Sequence, residues 1–373
     1  MPLFICFIRP GVAALARRPS VLAVAIAGCA VALVAGVGPA LAAFPGANGK
    51  IAFSRFIESE GHEDLWTMNP DGSALVNLTP GWTGNDGFPN WRADGRKIVL
   101  ASNTETPDNP IVEEFGEPDY ELFTMNPDGS KVRQLTFNEI DDDDPAWSPD
   151  GKRVVFQRDV DLLVGPDHRN WDIFTMKVSG ADVRNLTNHA ATADRAPNWS
   201  PNGRRIVFDS NRDSGDNEDN IEIYTMSADG SRVRRLTENT AFDGQPNWSP
   251  DGRRISFQAY RDEHLEIWTM RADGRAQEQL TRGADAFASA WSPDGCLIVH
   301  SSFDLPGIYT IRVDGGDARN LTEGAEAFDW AADWQPLRRR GHNRSWGQEE
   351  GNALELLGVA AGERTKEDRR CRR

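Results

Sequence analysis

Six tryptophans at equivalent places in a repeating pattern constrain the fold of this chain more than any other feature. They stand at Trp91, Trp147, Trp199, Trp248, Trp291 and Trp334, with gaps of 56, 52, 49, 43 and 43 residues. Four of them open Trp-Ser-Pro-(Asp/Asn)-Gly, and Trp91 opens Trp-Arg-Ala-Asp-Gly. Each unit also carries a segment such as LFTMNPDGS, IFTMKVSGA, IYTMSADGS or IWTMRADGR. Leu-Thr follows six times, ending at Thr79, Thr136, Thr187, Thr237, Thr281 and Thr322. A period of this length, punctuated by turn residues, means that one supersecondary unit has been copied and stacked.

Each unit reads as four short strands. PAWS is the first, and SPDG is a turn in which proline presets φ and glycine takes φ > 0. RVVFQ, rich in β-branched and aromatic residues, is the second. DIFTM alternates with period two, Ile173 and Thr175 on one face and Phe174 and Met176 on the other, and is the third. SADG is a second tight turn, and RVRRLT is the fourth strand. Apolar groups on both faces of the third strand mean that each sheet is covered on both sides, as stacked blades require. The repeated Thr67, Thr124, Thr175, Thr225, Thr269 and Thr310 are strand-packing residues on this reading.

The ends set the count. The repeat begins at GANGKIAFSR, a second strand with no first strand before it, and finishes at FDWAADWQP, a first strand with no turn after it. The C-terminal strand is therefore expected to complete the N-terminal blade, with residues 329–336 pairing with 50–56. This closes the ring and removes the open edges. The fold class is all-β: a six-bladed β-propeller of four-stranded antiparallel blades spanning 44–336.

PNWSPDGRRISFQ, EIWTMRADG and RRLTEN resemble the TolB-type propeller repeat of bacterial envelope proteins, a relative of WD repeats. The resemblance covers nearly all of 44–336 and recurs six times. It implies an exported binding module whose first strands are innermost. The family's namesake carries an α/β domain ahead of its propeller, for which the sequence between a cleavage near Ala42 and the first strand leaves no room.

Residues 1–42 read as a signal peptide. Arg17 and Arg18 precede an apolar run from Val21 to Val37, followed by the small-x-small site Ala40-Leu41-Ala42. Because that run reaches spanning length, an uncleaved anchor is the alternative and would be the chain's sole attachment to a membrane. Cys29 in IAGC also fits a lipidation box, although apolar sequence continues beyond it. Residues 337–373 are charged, low in aromatics and expected to be a disordered tail. Cys296 is the one cysteine of the body, so no disulfide framework holds it. The expected location is periplasmic or extracellular, as a monomer.

The total charge is −16, with +3 in residues 1–42 and +4 in 337–373, which leaves −23 on 43–336. An acidic body excludes nucleic acid as the expected partner, whose phosphates need a basic face. It suits a cation or a basic protein.

In a four-stranded meander the SPDG and ADG turns share one end, and the longer second-to-third and blade-to-blade links share the other. Those links include 103–118, 159–170 and 211–220, and variable loops on a rigid scaffold carry binding. Counting five residues back from each tryptophan gives Asp86, Asp142, Asp194, Asp243, Ala286 and Asp329. With first strands innermost, these ring one mouth of the channel. Asp141 to Asp144 are expected in water at that rim, beside a buried Trp147. The candidate partner-binding residues are therefore Asp86, Asp142, Asp143, Asp144, Asp194, Asp243 and Asp329. Asp142, Asp194 and Asp243 are candidate ligands for calcium, a hard cation suited to oxygen-only sites. In the alternative, each carboxylate braces its own turn.

Five histidines, His62, His168, His189, His264 and His300, fall at or near the same end. None forms the i, i+4 pair of a helical zinc motif. The sequence has no G-x-S-x-G elbow. Two functions follow: an exported, non-catalytic propeller that binds a protein, peptide or envelope component at its acidic mouth, or a metal-dependent polysaccharide lyase or hydrolase. Convergence of His300, His189 and an inner-strand carboxylate would favour the second.

Overall fold

The computed structural model describes residues 44–106, 119–160, 170–189, 192–214, 220–325 and 327–337. The leader, the tail, His168 and much of the three long loops lie outside the described residues. Within them the repeat becomes six antiparallel four-stranded sheets. Blade 1 contains β1 (Ala47–Ile57), β2 (His62–Met68) and β3 (Val76–Asn77). Blade 2 is β4 (Asp86–Trp91), β5 (Ile98–Ser102), β6 (Glu121–Met125) and β7 (Arg133–Gln134). Blade 3 is β8 (Asp142–Trp147), β9 (Arg153–Asp159), β10 (Trp171–Lys177) and β11 (Arg184–Asn185). Blade 4 is β12 (Asp194–Trp199), β13 (Arg205–Ser210), β14 (Glu222–Ser227) and β15 (Arg234–Arg235). Blade 5 is β16 (Asp243–Trp248), β17 (Arg254–Arg261), β18 (His264–Arg271) and β19 (Glu278–Gln279). Blade 6 is β20 (Ala286–Trp291), β21 (Leu297–Ser302), β22 (Gly307–Arg312) and β23 (Arg319–Asn320).

The last strand, β24 (Phe328–Leu337), joins β1, with Ile51 opposite Trp334 and Arg55 opposite Asp329. Blade 1 is thus built from both ends of the repeat, as expected. The first strands touch one another around the axis, β24 to β4, β4 to β8 and onward to β20, so they are innermost. The fourth strands are shorter than the sequence suggested. Each is a two-residue ladder, because Leu-Thr leaves the sheet and does another task. The threonine hydroxyl accepts the N–H of a third-strand residue in all six blades, from Leu65 to Thr79 at 3.0 Å through Ile308 to Thr322 at 3.0 Å.

The core lies between blades. Trp147, Val154 and Phe156 of blade 3 pack on Val99, Ala101 and Leu122 of blade 2, and the other tryptophans repeat this arrangement. The six repeat tryptophans are at most 4% exposed. At ~25 cal/mol per Å² and roughly 200 Å² of side chain, each contributes on the order of 4 kcal/mol of burial. The second turn of each unit fixes the blade spacing. Gly129 and Gly274 adopt φ of 77° and 85°, and a Cβ there would lie 2.6 and 2.5 Å from the carbonyl oxygens of Leu78 and Leu236 in the preceding blades. Glycine is the residue that meets both demands.

Every inner strand is interrupted three residues before its tryptophan. Phe88, Asp144, Ala196, Gln245, Ala288 and Ala331 all have φ between 49° and 55°. The first-to-second-strand register shifts there, for example between Asp143 and Ala146. These are β-bulges. Pro89, Pro145, Pro197 and Pro246 follow four of them, where an N–H would have no ladder partner.

Candidate functional site at the channel mouth

Burial overturns the expectation that Asp141 to Asp144 stand in water. Asp142 and Asp144 are 0% exposed and Asp143 is 8% exposed, because the run is itself the start of the inner strand β8. Asp141 is half-buried and accepts the N–H of Tyr120 at 2.9 Å.

The five carboxylates counted back from the tryptophans are likewise all at 0% exposure. Four hold arginines of their own blade. Asp142 accepts from Arg158 Nε and Nη2 at 2.5 and 2.6 Å, and Asp329 from Arg55 Nε and Nη2 at 2.6 and 2.7 Å. Asp194 pairs with Arg212 at 2.6 Å, and Asp243 with Arg261 at 2.5 Å. Asp86 has no arginine, accepts the Ser102 hydroxyl, and is pushed up to about 8 by burial. Burial also raises Asp243 to about 6, against the pull of Arg261. The guanidiniums lie over blade aromatics, Arg158 at 4.9 Å from Phe174 and Arg55 at 5.0 Å from Trp66.

Sequence reasoning missed a second ring of acids. Asp64, Glu121, Asp172, Glu222 and Glu266 begin the third strands and are buried. They receive side chains and backbone of the following link: Asn185 donates to Asp172 at 2.6 Å, and the N–H of Asn138 donates to Glu121 at 2.6 Å. The signal was present as an acid three residues before each Thr-Met, absent from PGIYTI in blade 6.

The mouth is left with two unlike sectors. Beside blades 3 and 4, Asp143 and Asp209 crowd Asp144, and Arg195, whose Nε lies 3.6 Å from Asp209, acts on both Asp144 and Asp209. Both Asp144 oxygens are buried without a hydrogen-bond partner among the described residues. Burial, then the charges of Asp143 and Asp209, push its carboxyl well above the ordinary carboxylate range. Burial also raises Asp209, against Arg195. Beside blades 5, 6, 1 and 2 the packing is aromatic, with Phe287 and Phe88 buried and Phe303, Phe328 and Trp330 half-buried: Phe287 stacks on Phe303 at 4.0 Å and on Phe328 at 6.3 Å, and Trp330 meets Phe88 edge-on at 5.1 Å.

The proposed calcium ligands Asp142, Asp194 and Asp243 do not converge. Among the described residues, one group of three imidazole or carboxylate ligands lies within 4.8 Å, Glu60, His62 and Asp64, at the β1–β2 hairpin. His189 and His300 belong to no such group.

Asp333, one residue before Trp334, ties blades 1 and 2 by accepting the Trp91 N–H at 2.7 Å. Burial pushes it up to about 8. In blade 2 Asn90 does the same task, accepting the Trp147 N–H at 2.8 Å. Asp86, Glu121 and Asp333, all raised to about 8, hold protons that the unfolded chain has already released above its ordinary value near 4. Folding stability therefore falls as pH rises from about 4 to about 8 on their account. Acids with lowered values, such as Asp182, are ionised in both states over the upper part of that window and add no slope there. His300, lowered to about 4, opposes the trend only below about 6.5. The melting temperature should fall between pH 6.5 and pH 8.5. Asp333→Asn should raise stability at pH 8.5 by at least ~1 kcal/mol and flatten the slope. An unchanged slope in that variant would contradict the assignment.

Fold and site together define a closed six-bladed propeller with internally braced blades and a mouth that is acidic on one side and aromatic on the other. The chain belongs to the TolB beta propeller domain family, which it matches over residues 19–215 and 214–336. It is 30% identical over 129 residues to the Tol-Pal system protein TolB of Anaeromyxobacter dehalogenans, covering 34% of this chain and 26% of that protein. It is 28% identical over 148 residues to the uncharacterized protein Atu1656 of Agrobacterium fabrum, covering 39% and 46% respectively. The chain therefore spans less than half the length of these curated relatives. The crystal structure of TolB from Acinetobacter baumannii superposes with a TM-score of 0.63 at 20% identity, covering 77% of this chain and 67% of that one, and shows the shared fold.

Proposed function

We propose that this chain is an exported, periplasmic or extracellular propeller that binds a protein or peptide, and that a basic side chain of the partner enters the channel between Asp143, Asp144 and Asp209. The observation that carries this reading is the Asp144 carboxyl, with both oxygens buried and unpartnered beside two further carboxyls. An incoming ammonium or guanidinium would stabilise the charged carboxylate and form the missing hydrogen bonds. The aromatic sector opposite would receive apolar residues of the same segment. Kinship with a Tol-Pal system protein supports an envelope setting.

The test is capture from a cell-envelope extract by the purified chain, with calcium or with chelator. Asp143→Asn/Asp144→Asn keeps side-chain size and should fold, since it removes repulsion between neighbouring buried carboxyls. The expected result is a partner retained by the native chain with or without calcium and lost by the variant. Retention by the variant would sink the reading. Capture that depends on calcium would assign the acidic sector to a metal ion instead.

A further inference from the structure

Blades 1, 3, 4 and 5 each close their outer mouth with one device. An arginine at the end of the second strand, or just beyond it, lies over an aromatic of the third strand and binds the carboxylate of the first. Arg55 stands 5.0 Å from Trp66, Arg158 4.9 Å from Phe174, Arg212 5.2 Å from Tyr224 and Arg261 5.9 Å from Trp268. Among the described residues blade 2 lacks the arginine, and Trp82, from the link that enters the blade, packs edge-on against Phe123 at 5.4 Å.

Blade 6 has lost the charged half of the device and kept the platform. Ala286 replaces the first-strand aspartate, Asp304 takes the place of Arg261, and Gly307 replaces the third-strand acid. The aromatic pair remains as His300 and Tyr309, stacked at 5.5 Å and 14°. The result is a cavity of about 410 Å³ bordered by His300, Tyr309, Ser302, Asp304 and the chain at Gly283 and Ala284. Asp304 forms no ion pair among the described residues. Burial lowers His300 to about 4, so its ring is neutral at physiological pH and does not repel a cation.

We propose that the blade 6 cavity binds a guanidinium group, the arginine side chain of a partner peptide, in place of the arginine the blade itself lacks. A flat, delocalised cation matches a stacked ring pair with a carboxylate at its edge, and a compact ammonium matches it less well. The site lies in a different blade from Asp143 and Asp144 and does not depend on them.

The experiment is an NMR titration of the purified chain with N-acetylarginine amide, following the ring signals of His300 and Tyr309. The neutral citrulline analogue serves as control. Saturable shifts at millimolar ligand are expected, with the citrulline compound about tenfold weaker. Asp304→Asn should weaken binding several-fold. Ala286→Asp/Asp304→Arg rebuilds the device of blade 5 and should abolish binding and raise the melting temperature. Asp143→Asn/Asp144→Asn should leave binding unchanged, which separates this site from the channel. No saturable shift up to tens of millimolar, equal affinity for citrulline, or full affinity in Asp304→Asn would each overturn the proposal.

Discussion

Deleting residues 328–373 is expected to abolish cooperative unfolding, whereas deleting 341–373 should leave the melting temperature within about 2 °C. The first truncation removes β24 and with it the Trp334 indole, 2% exposed between blades 6 and 1. It also strips Arg55 of the carboxylate that holds it at 2.6 Å and leaves Trp91 without its Asp333 acceptor. Loss of a buried tryptophan alone costs about 3–5 kcal/mol, and a buried arginine without its partner a similar amount. Together these approach the whole stability of an ordinary domain, about 5–15 kcal/mol. The second truncation removes none of the contacts described. Equal melting temperatures for the two chains, read by circular dichroism, would refute ring closure by β24.

The triple variant Asp142→Asn/Asp194→Asn/Asp243→Asn is expected to melt far below the native chain at pH 7.5, by more than about 15 °C, regardless of calcium. Each substitution leaves a guanidinium, between 12% and 25% exposed, without its bonded carboxylate. Removing one member of a buried pair costs about 3–5 kcal/mol, and partial exposure of these arginines lowers that to about 2–3 each. The three lie in different blades, so the costs should add. Burial raises Asp142 even with Arg158 beside it, so the pairs themselves are not a large net gain. Accordingly Asp243→Asn combined with Arg261→Met should recover much of the loss from Asp243→Asn alone. A triple variant of native stability without calcium, which loses only a calcium-dependent gain, would return these residues to the role of metal ligands.

The architecture was legible because it is written in spacing. Tryptophan, turn glycine and Leu-Thr recur at positions that backbone geometry makes obligatory, and the half-unit at each end states the closure. The candidate site was legible only as a position. Counting back from Trp147 locates Asp142, but the bulge at Asp144 alters the alternation of faces and strand β8 carries the acids inward. The arginine partners escaped for a related reason. Arg158 pairs across from Asp142 itself, while Arg212 lies two residues beyond Ser210, the partner of Asp194, so no fixed offset announces them. The third-strand acids stand in EDLWTM and IEIYTM, where the alternating apolar residues carry the stronger signal. The unsatisfied Asp144 is visible only once the neighbours that fail to reach it are placed in three dimensions.

Closure of blade 1 by the two ends of the repeat also sets a timetable. Arg55 and Asp329 are 274 residues apart in the chain yet bonded in the folded ring. At about 5–20 residues per second, a ribosome releases the first of them roughly fifteen to fifty seconds before the second. Throughout that interval β1 has an unpaired edge and Phe53 lacks the packing that β24 brings. Nucleation that awaits such a distant partner is slow. Blades 2 to 6 contain no part of β24 and can form before it, whereas blade 1, and with it the closed ring, waits for the last strand of the repeat.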